Sequence, residues 1–194
     1  MRPEEKIIQS FFDAKKNTLY FNELVASTNL SHSSLQNNLK KLINKNILRT
    51  EKSKAHRFYI INDLKFTALE FSQKAHHKFE QLHISVRIPL KKKKKRIQRH
   101  HHCVILFGSA SRGMQKNGSD IDLLIVTGHK KESDLIKKDI DAISKYPLSI
   151  FECSVQEFIK NEDHIIIQAR QTGFPIFGEQ FFYEVQLDEH QRTL

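Results

Sequence analysis

The chain has 194 residues, 39% of them hydrophobic, and a formal net charge of +10; this is enough for one large domain or two small ones with their own cores, and argues against wholesale disorder. No apolar run approaches the roughly 20 residues needed to cross a bilayer, and the opening MRPEEKIIQS is too charged for a signal peptide, so the expectation is a cytoplasmic protein without a membrane partner. Residues 1–62 carry 11 Lys/Arg against 5 Asp/Glu, residues 63–102 carry 11 against 3, and residues 103–194 carry 10 against 14, so a basic front suited to a polyanion precedes an acidic back able to hold divalent metal.

Glu4–Lys15 is predicted as a helix with Ile7, Ile8, Phe11 and Phe12 on one side, the spacing of an amphipathic face. A short strand, Thr18–Phe21, precedes a helix over Glu23–Thr28 that Asn22 can cap, and Asn29-Leu30-Ser31 forms a turn. A third helix starts near Ser31 or Ser33, with Leu35, Leu39, Leu42 and Ile43 as its apolar stripe. Ile47–Lys52 and Arg57–Ile61 read as a strand pair joined by the polar tip Ser53–His56.

This series, over about residues 4–62, resembles a winged helix-turn-helix domain. The resemblance implies that the third helix enters the major groove of double-stranded DNA and the hairpin touches its backbone. On that helix His32, Ser33, Gln36, Asn37, Lys40 and Lys41 lie off the apolar stripe. Asn and Gln can pair bidentately with adenine, while Lys serves phosphates. Lys52, Lys54, His56 and Arg57 charge the hairpin. The candidate DNA-binding residues are Ser33, Gln36, Asn37, Lys40, Lys54 and Arg57.

From Asp63 to about His83, Leu64, Ala68, Phe71, Ala75, Phe79 and Leu82 recur at helical steps. The reading is a linker helix that packs on one module or, through its Phe71/Phe79 stripe, on a second copy in a homodimer. Pro89 is expected to break the pattern, leaving Lys91–Lys95, Arg96 and Arg99 as a solvated, self-repelling connector, with phosphate contact as the alternative. His100-His101-His102 are neighbours that cannot converge on one ion, so an extended lead-in to the next strand is expected.

Cys103–Phe107 is an all-apolar strand ending in Gly108-Ser109, after which Ala110 to Met114 can make a short helix. Asn117-Gly118-Ser119 makes a turn, and Asp120–Val126 is a second buried strand opened by two acids. Glycine lets a phosphate approach the backbone, new helical N–H groups favour an anion, and the Ser109 hydroxyl adds a donor. Residues i and i+2 of a strand share a face, so Asp120 and Asp122 point into one cleft; two close carboxylates call for a cation, and hard oxygen ligands suit Mg²⁺ (or Mn²⁺). Cys103 and Cys153 are expected as reduced, buried thiols.

The stretch GSASRGMQKNGSDIDLLIV resembles the signature of the DNA polymerase beta-like nucleotidyltransferase superfamily, and more narrowly its minimal prokaryotic members. Similarity runs from about Cys103 to Phe182, including Gly173-Phe174-Pro175-Ile176-Phe177-Gly178. The resemblance implies metal-dependent transfer of a nucleoside monophosphate from a nucleoside triphosphate such as ATP. Gly108 and Ser109 would bind the nucleotide, Asp120 and Asp122 would be the catalytic and metal-binding acids, and Arg112 and Lys116 could neutralise phosphate charge. Members of the superfamily place a third acid on a neighbouring strand. Here that strand is Leu148–Cys153, ended by a capping box Ser154…Glu157. The acid's position falls near Ser149 or Phe151, neither acidic, while alternation puts Glu152 on the opposite face unless a bulge turns it.

The expected architecture is a two-domain α+β and α/β protein: a winged helix over 1–62, a helical and polybasic connector over 63–102, and a nucleotidyltransferase fold with a mixed sheet flanked by helices over 103–188. Residues after Asp188 read as a frayed polar tail. The leading function is a nucleotidyltransferase with a DNA-binding front end, antitoxin- or regulator-like, acting on a separately encoded partner protein or a small molecule. The alternative is a transcriptional regulator whose nucleotidyltransferase fold senses nucleotide without catalysis, or, further off, an interaction scaffold that uses neither site.

Overall fold

The computed structural model describes residues 2–53, 56–97, 101–114, 116, 118–128 and 133–192. The chain forms two compact units: residues up to Leu69 together with those from Tyr183, and Glu70–Phe182.

In the first unit, α1 (Pro3–Ala14) and α2 (Phe21–Thr28) flank β1 (Thr18–Tyr20), and α3 (His32–Asn44) leads into β2 (Leu48–Lys52) and β3 (Arg57–Ile61). The strands form an antiparallel sheet in the order β1-β3-β2. The apolar stripes of the three helices supply the core: Ile7, Phe11, Leu24, Leu35, Leu39 and Leu42 are buried with Leu48, Ile60 and Ile61. Local signals set the helix ends. Ser31 Oγ accepts from Ser34 N–H at 3.3 Å and starts α3, while Lys15 and Asn29 close α1 and α2 in the left-handed conformation. The second helix begins at Phe21, with its cap at Tyr20 rather than at Asn22 as expected, because Glu23 accepts from the Tyr20 backbone N–H at 3.0 Å. Within this unit the Phe12 and Tyr183 rings meet at 5.7 Å between centroids.

The long helix α4 runs Leu64–Glu80, and α5 runs Ile84–Ile97 with Pro89 inside it. The expected break at Pro89 is therefore wrong. Proline forfeits one backbone hydrogen bond, but Arg87 donates to the Glu80 carbonyl, Lys91 Nζ contacts the Glu80 carboxylate at 2.9 Å, and Val86 and Leu90 are buried. The expected connector is thus helical at least to Ile97. Lys91 pairs with Glu80 and Lys93 Nζ lies 3.5 Å from Asp139; Arg99 and His100 lie outside the described residues. Phe71 and Phe79 are buried within the chain, so the stripe expected to offer a dimer surface is already covered.

The second unit holds a four-stranded mixed sheet in the order β6-β5-β4-β7. Its strands are β4 (His101–Phe107), β5 (Ile121–Thr127), β6 (Leu148–Cys153) and β7 (Phe174–Phe177). β4 pairs antiparallel with β5 and β7, and β5 pairs parallel with β6. His101 and His102 belong to β4 itself rather than to a lead-in. The helices α6 (Ser133–Asp141), α7 (Val155–Lys160) and α8 (His164–Thr172) connect the strands. Ser154 and Glu157 form the expected capping box on α7, and the Asp163 carboxylate caps α8. The last helix, α9 (Glu179–Arg192), replaces the expected frayed tail after Asp188; Phe182, Tyr183 and Leu187 are buried and hold it in place. No helix among the described residues is long and apolar enough to cross a membrane, and Cys103 and Cys153 are buried thiols.

Candidate functional site

The site forms where β4 ends beside the start of β5. Phe107, the last residue of β4, pairs with Asp122, so the chain turns at Gly108 alongside the Asp122 carboxylate. Gly108 has φ +67°, a region that favours glycine. A Cβ there would overlap Asp122 Oδ2 and lie 3.1 Å from Cγ, so this close approach of backbone to carboxylate needs glycine. Ser109, half-buried, follows and leads into one 3₁₀ turn, Ala110–Arg112. That single turn replaces the helix expected over Ala110–Met114: Gly113 at φ +68° ends it, its N–H donating to the Ala110 carbonyl. Ser111 stiffens the turn by donating from Oγ to the Gly108 carbonyl at 2.9 Å.

Asp120 precedes β5 and Asp122 is its second residue. Gly118 (φ +86°) and Ser119 lie in the preceding turn, where Ser119 Oγ accepts from Lys116 N–H at 2.9 Å; Asn117 lies outside the described residues. Arg112 and Lys116 are exposed, as is Asp120, while Asp122 is half-buried. Burial, and then the Asp120 charge, push the Asp122 carboxyl above its ordinary range. Both acids neighbour Ser149: Asp120 accepts from its hydroxyl and Asp122 is its partner across the strands. Each is a hard oxygen donor, and among the described residues no group of three or more His, Cys, Asp or Glu converges. Two protein carboxylates with further positions left to phosphate oxygens or water fit the way Mg²⁺ is commonly held.

The neighbouring strand settles the geometry of the third position. The β5–β6 register runs unbroken from Ile121↔Leu148 to Val126↔Cys153 and pairs Asp122 with Ser149. Ser149 therefore stands on the acids' face, and its Oγ donates to Asp120 Oδ2 at 2.8 Å. Phe151, two residues on, packs its ring 5.8 Å from that of Phe107. Glu152 pairs with Ile125, which puts it on the other face; no bulge rotates it toward Asp122. The Ser149–Asp120 hydrogen bond was not foreseen from the sequence. The nearest signal was the expectation that the superfamily's third-acid position falls near Ser149 or Phe151.

In the first unit, Ser33, Gln36, Asn37 and Lys40 are exposed along α3 at the i, i+3, i+4, i+7 spacing of one helix face, opposite buried Leu35, Leu39 and Leu42. Lys41 and Arg57 are also exposed, and the exposed His32 ring packs edge-on against Phe21 at 5.5 Å. Lys54 lies outside the described residues.

No curated protein and no solved structure matches the chain significantly. Residues 90–171 match the family model described as a nucleotidyltransferase domain, which supports the nucleotidyltransferase superfamily for this stretch and, with it, the general chemistry of nucleotidyl transfer.

Proposed function

We propose that the chain is a metal-dependent nucleotidyltransferase that moves a nucleoside monophosphate from a nucleoside triphosphate to a protein or small-molecule acceptor, and that it carries a DNA-binding winged helix. The observation that carries the reading is the close approach of Gly108 to Asp122, with Asp120 and Asp122 both beside Ser149, in the stretch that matches the family model. In this reading Gly108 lets a phosphate come close to the backbone and the Ser109 hydroxyl donates to it. Asp120 and Asp122 hold Mg²⁺ or Mn²⁺, which when bound supplies charge to the phosphates and the pyrophosphate leaving group. Ser149 fixes the rotamer of Asp120 through its hydrogen bond, and Asp122, whose burial works against its charge, would gain from a cation beside it.

The first unit is proposed as a winged helix over 1–62, joined through the 63–102 segment to a nucleotidyltransferase domain over 103–188. The order helix, strand, helix, helix, hairpin and the antiparallel three-stranded sheet support it. The exposed face Ser33, Gln36, Asn37 and Lys40 would meet base edges and phosphates, with Arg57 and Lys54 of the hairpin on the backbone. The acceptor would be a separately encoded protein, in an antitoxin-like arrangement, or a small molecule, in the cytoplasm.

A second reading has its own support. On the acids' face of β6 stand Ser149 and Phe151, not a carboxylate. A site so equipped could hold nucleotide and metal as a signal for the DNA-binding unit without turnover. Pyrophosphate release separates the two. Mg²⁺-dependent release from a nucleoside triphosphate, lost in Asp120→Asn, supports transfer. Metal-dependent nucleotide binding with no release supports the sensor.

A further inference from the structure

The acceptor hydroxyl of the proposed transfer has a candidate inside the chain. Ser149 Oγ lies 2.8 Å from Asp120 Oδ2, and its residue pairs with Asp122 on the adjoining strand. It is half-buried, so solvent reaches it only in part. Its place as the second residue of a regular strand, between Leu148 and Ile150, holds the hydroxyl at the two acids rather than letting it sweep through solution. A hydroxyl held beside the groups that would position the nucleotide has the advantage of an intramolecular nucleophile. The carboxylate it donates to is the partner such a nucleophile needs.

We infer that Ser149 is itself an acceptor, and that the chain nucleotidylates this side chain. The inference rests on the transfer reading above and names its acceptor class, a serine hydroxyl. In the step, Ser149 Oγ bonds to the α-phosphorus of a nucleoside triphosphate. The bond from that phosphorus to the α,β-bridging oxygen breaks, and pyrophosphate leaves with the electron pair. The hydroxyl proton passes along the existing hydrogen bond to Asp120 Oδ2 and on to water. The product is a serine phosphodiester, and no redox partner is required. Because the ester occupies the site that made it, the reaction is limited to a single event per chain. The modified chain would then carry a lasting record of nucleotide supply on the unit joined to the proposed DNA-binding face.

The test uses the full chain incubated with ATP, GTP, CTP or UTP and Mg²⁺ or Mn²⁺, followed by intact mass and peptide mapping, with nucleotide binding measured in parallel. The expected result is a mass gain of a single nucleoside monophosphate, mapped to Ser149, with a pyrophosphate burst that stops at one equivalent per chain. Ser149→Ala should lose the adduct while its urea unfolding curve shows a folded protein, and Ser149→Thr, which keeps a hydroxyl, should retain it. A wild-type chain that binds nucleotide with metal yet gains no mass would overturn the inference and leave the sensor reading standing. An adduct that maps elsewhere, to Ser109 for instance, or survives in Ser149→Ala, overturns it while leaving transfer intact. A folded wild type that binds no nucleotide brings down the transfer reading and this inference together.

Discussion

Substituting Gly108 by alanine tests the physical core of the site. The backbone at φ +67° costs a residue with a Cβ about 1–2 kcal/mol. The new methyl would also overlap Asp122 Oδ2 and lie 3.1 Å from Cγ. A short side chain can turn away, so relief by pushing Asp122 off its rotamer costs about 1 kcal/mol more. The total is roughly 2–3 kcal/mol. Gly113 supplies the control: its φ is +68°, but a Cβ there meets nothing within 4 Å, so Gly113→Ala carries the strain alone, about 1–2 kcal/mol. Urea unfolding of the metal-free proteins reads the difference, expected near 1 kcal/mol. In an Asp122→Ala background the excess should vanish, because the overlapping group is gone. The displaced carboxylate should also weaken metal-dependent nucleotide binding by roughly tenfold or more, about 1.4 kcal/mol, whereas Gly113→Ala leaves it near wild type. A Gly108→Ala protein that is no less stable than Gly113→Ala, and binds as well as wild type, would refute the proposed coupling of backbone to carboxylate.

Three further outcomes follow from the same structure. The Asp122 carboxyl is raised by burial and by Asp120, so the folded chain binds its proton more tightly than the unfolded one; stability from this group is present below the ordinary Asp range and is lost as pH rises through the raised value. Asp122→Asn should therefore unfold at higher urea than wild type at pH 7 in a chelator, and the gain should disappear at pH 3; a pH-independent difference would contradict this. Lys40→Ala and Arg57→Ala should weaken DNA binding about equally across sequences and lower the log–log salt slope by about 1 each, while Gln36→Ala and Asn37→Ala should relax sequence preference by about 1–3 kcal/mol; salt-titrated binding to a selected and a scrambled duplex separates the two effects. Burial pushes the Cys103 thiol well up and Cys153 is buried too, so native protein should react with a thiol reagent only at its unfolding rate; immediate modification would show that β4 and β6 are not closed as described.

Legibility in the sequence followed the range of the forces involved. The three first-unit helices and the strands β3, β5 and β6 were readable because apolar spacing and caps act within a few residues, as Ser31 and the Ser154…Glu157 box illustrate. Pro89 misled because its local cost is offset by contacts of Val86, Arg87 and Lys91, two of which reach back to Glu80. The tail after Asp188 misled because its polar composition hid a continuation of α9, whose buried Phe182, Tyr183 and Leu187 lie before it. At the site, the strand that carries Asp122 followed from its apolar run, although Asp120 stands just before it. That Gly108 touches Asp122 did not, because it depends on the β4–β5 register. The failure of Glu152 to reach the acids was expected from alternation and agrees with the unbroken β5–β6 register.

The central claim is tested most directly by calorimetry of ATP and GTP binding, with and without Mg²⁺, to wild type beside an Asp120→Asn/Asp122→Asn double variant. Binding that needs the metal and is lost in the variant is the predicted result. A folded wild-type chain that binds neither nucleotide, with or without metal, would contradict the account.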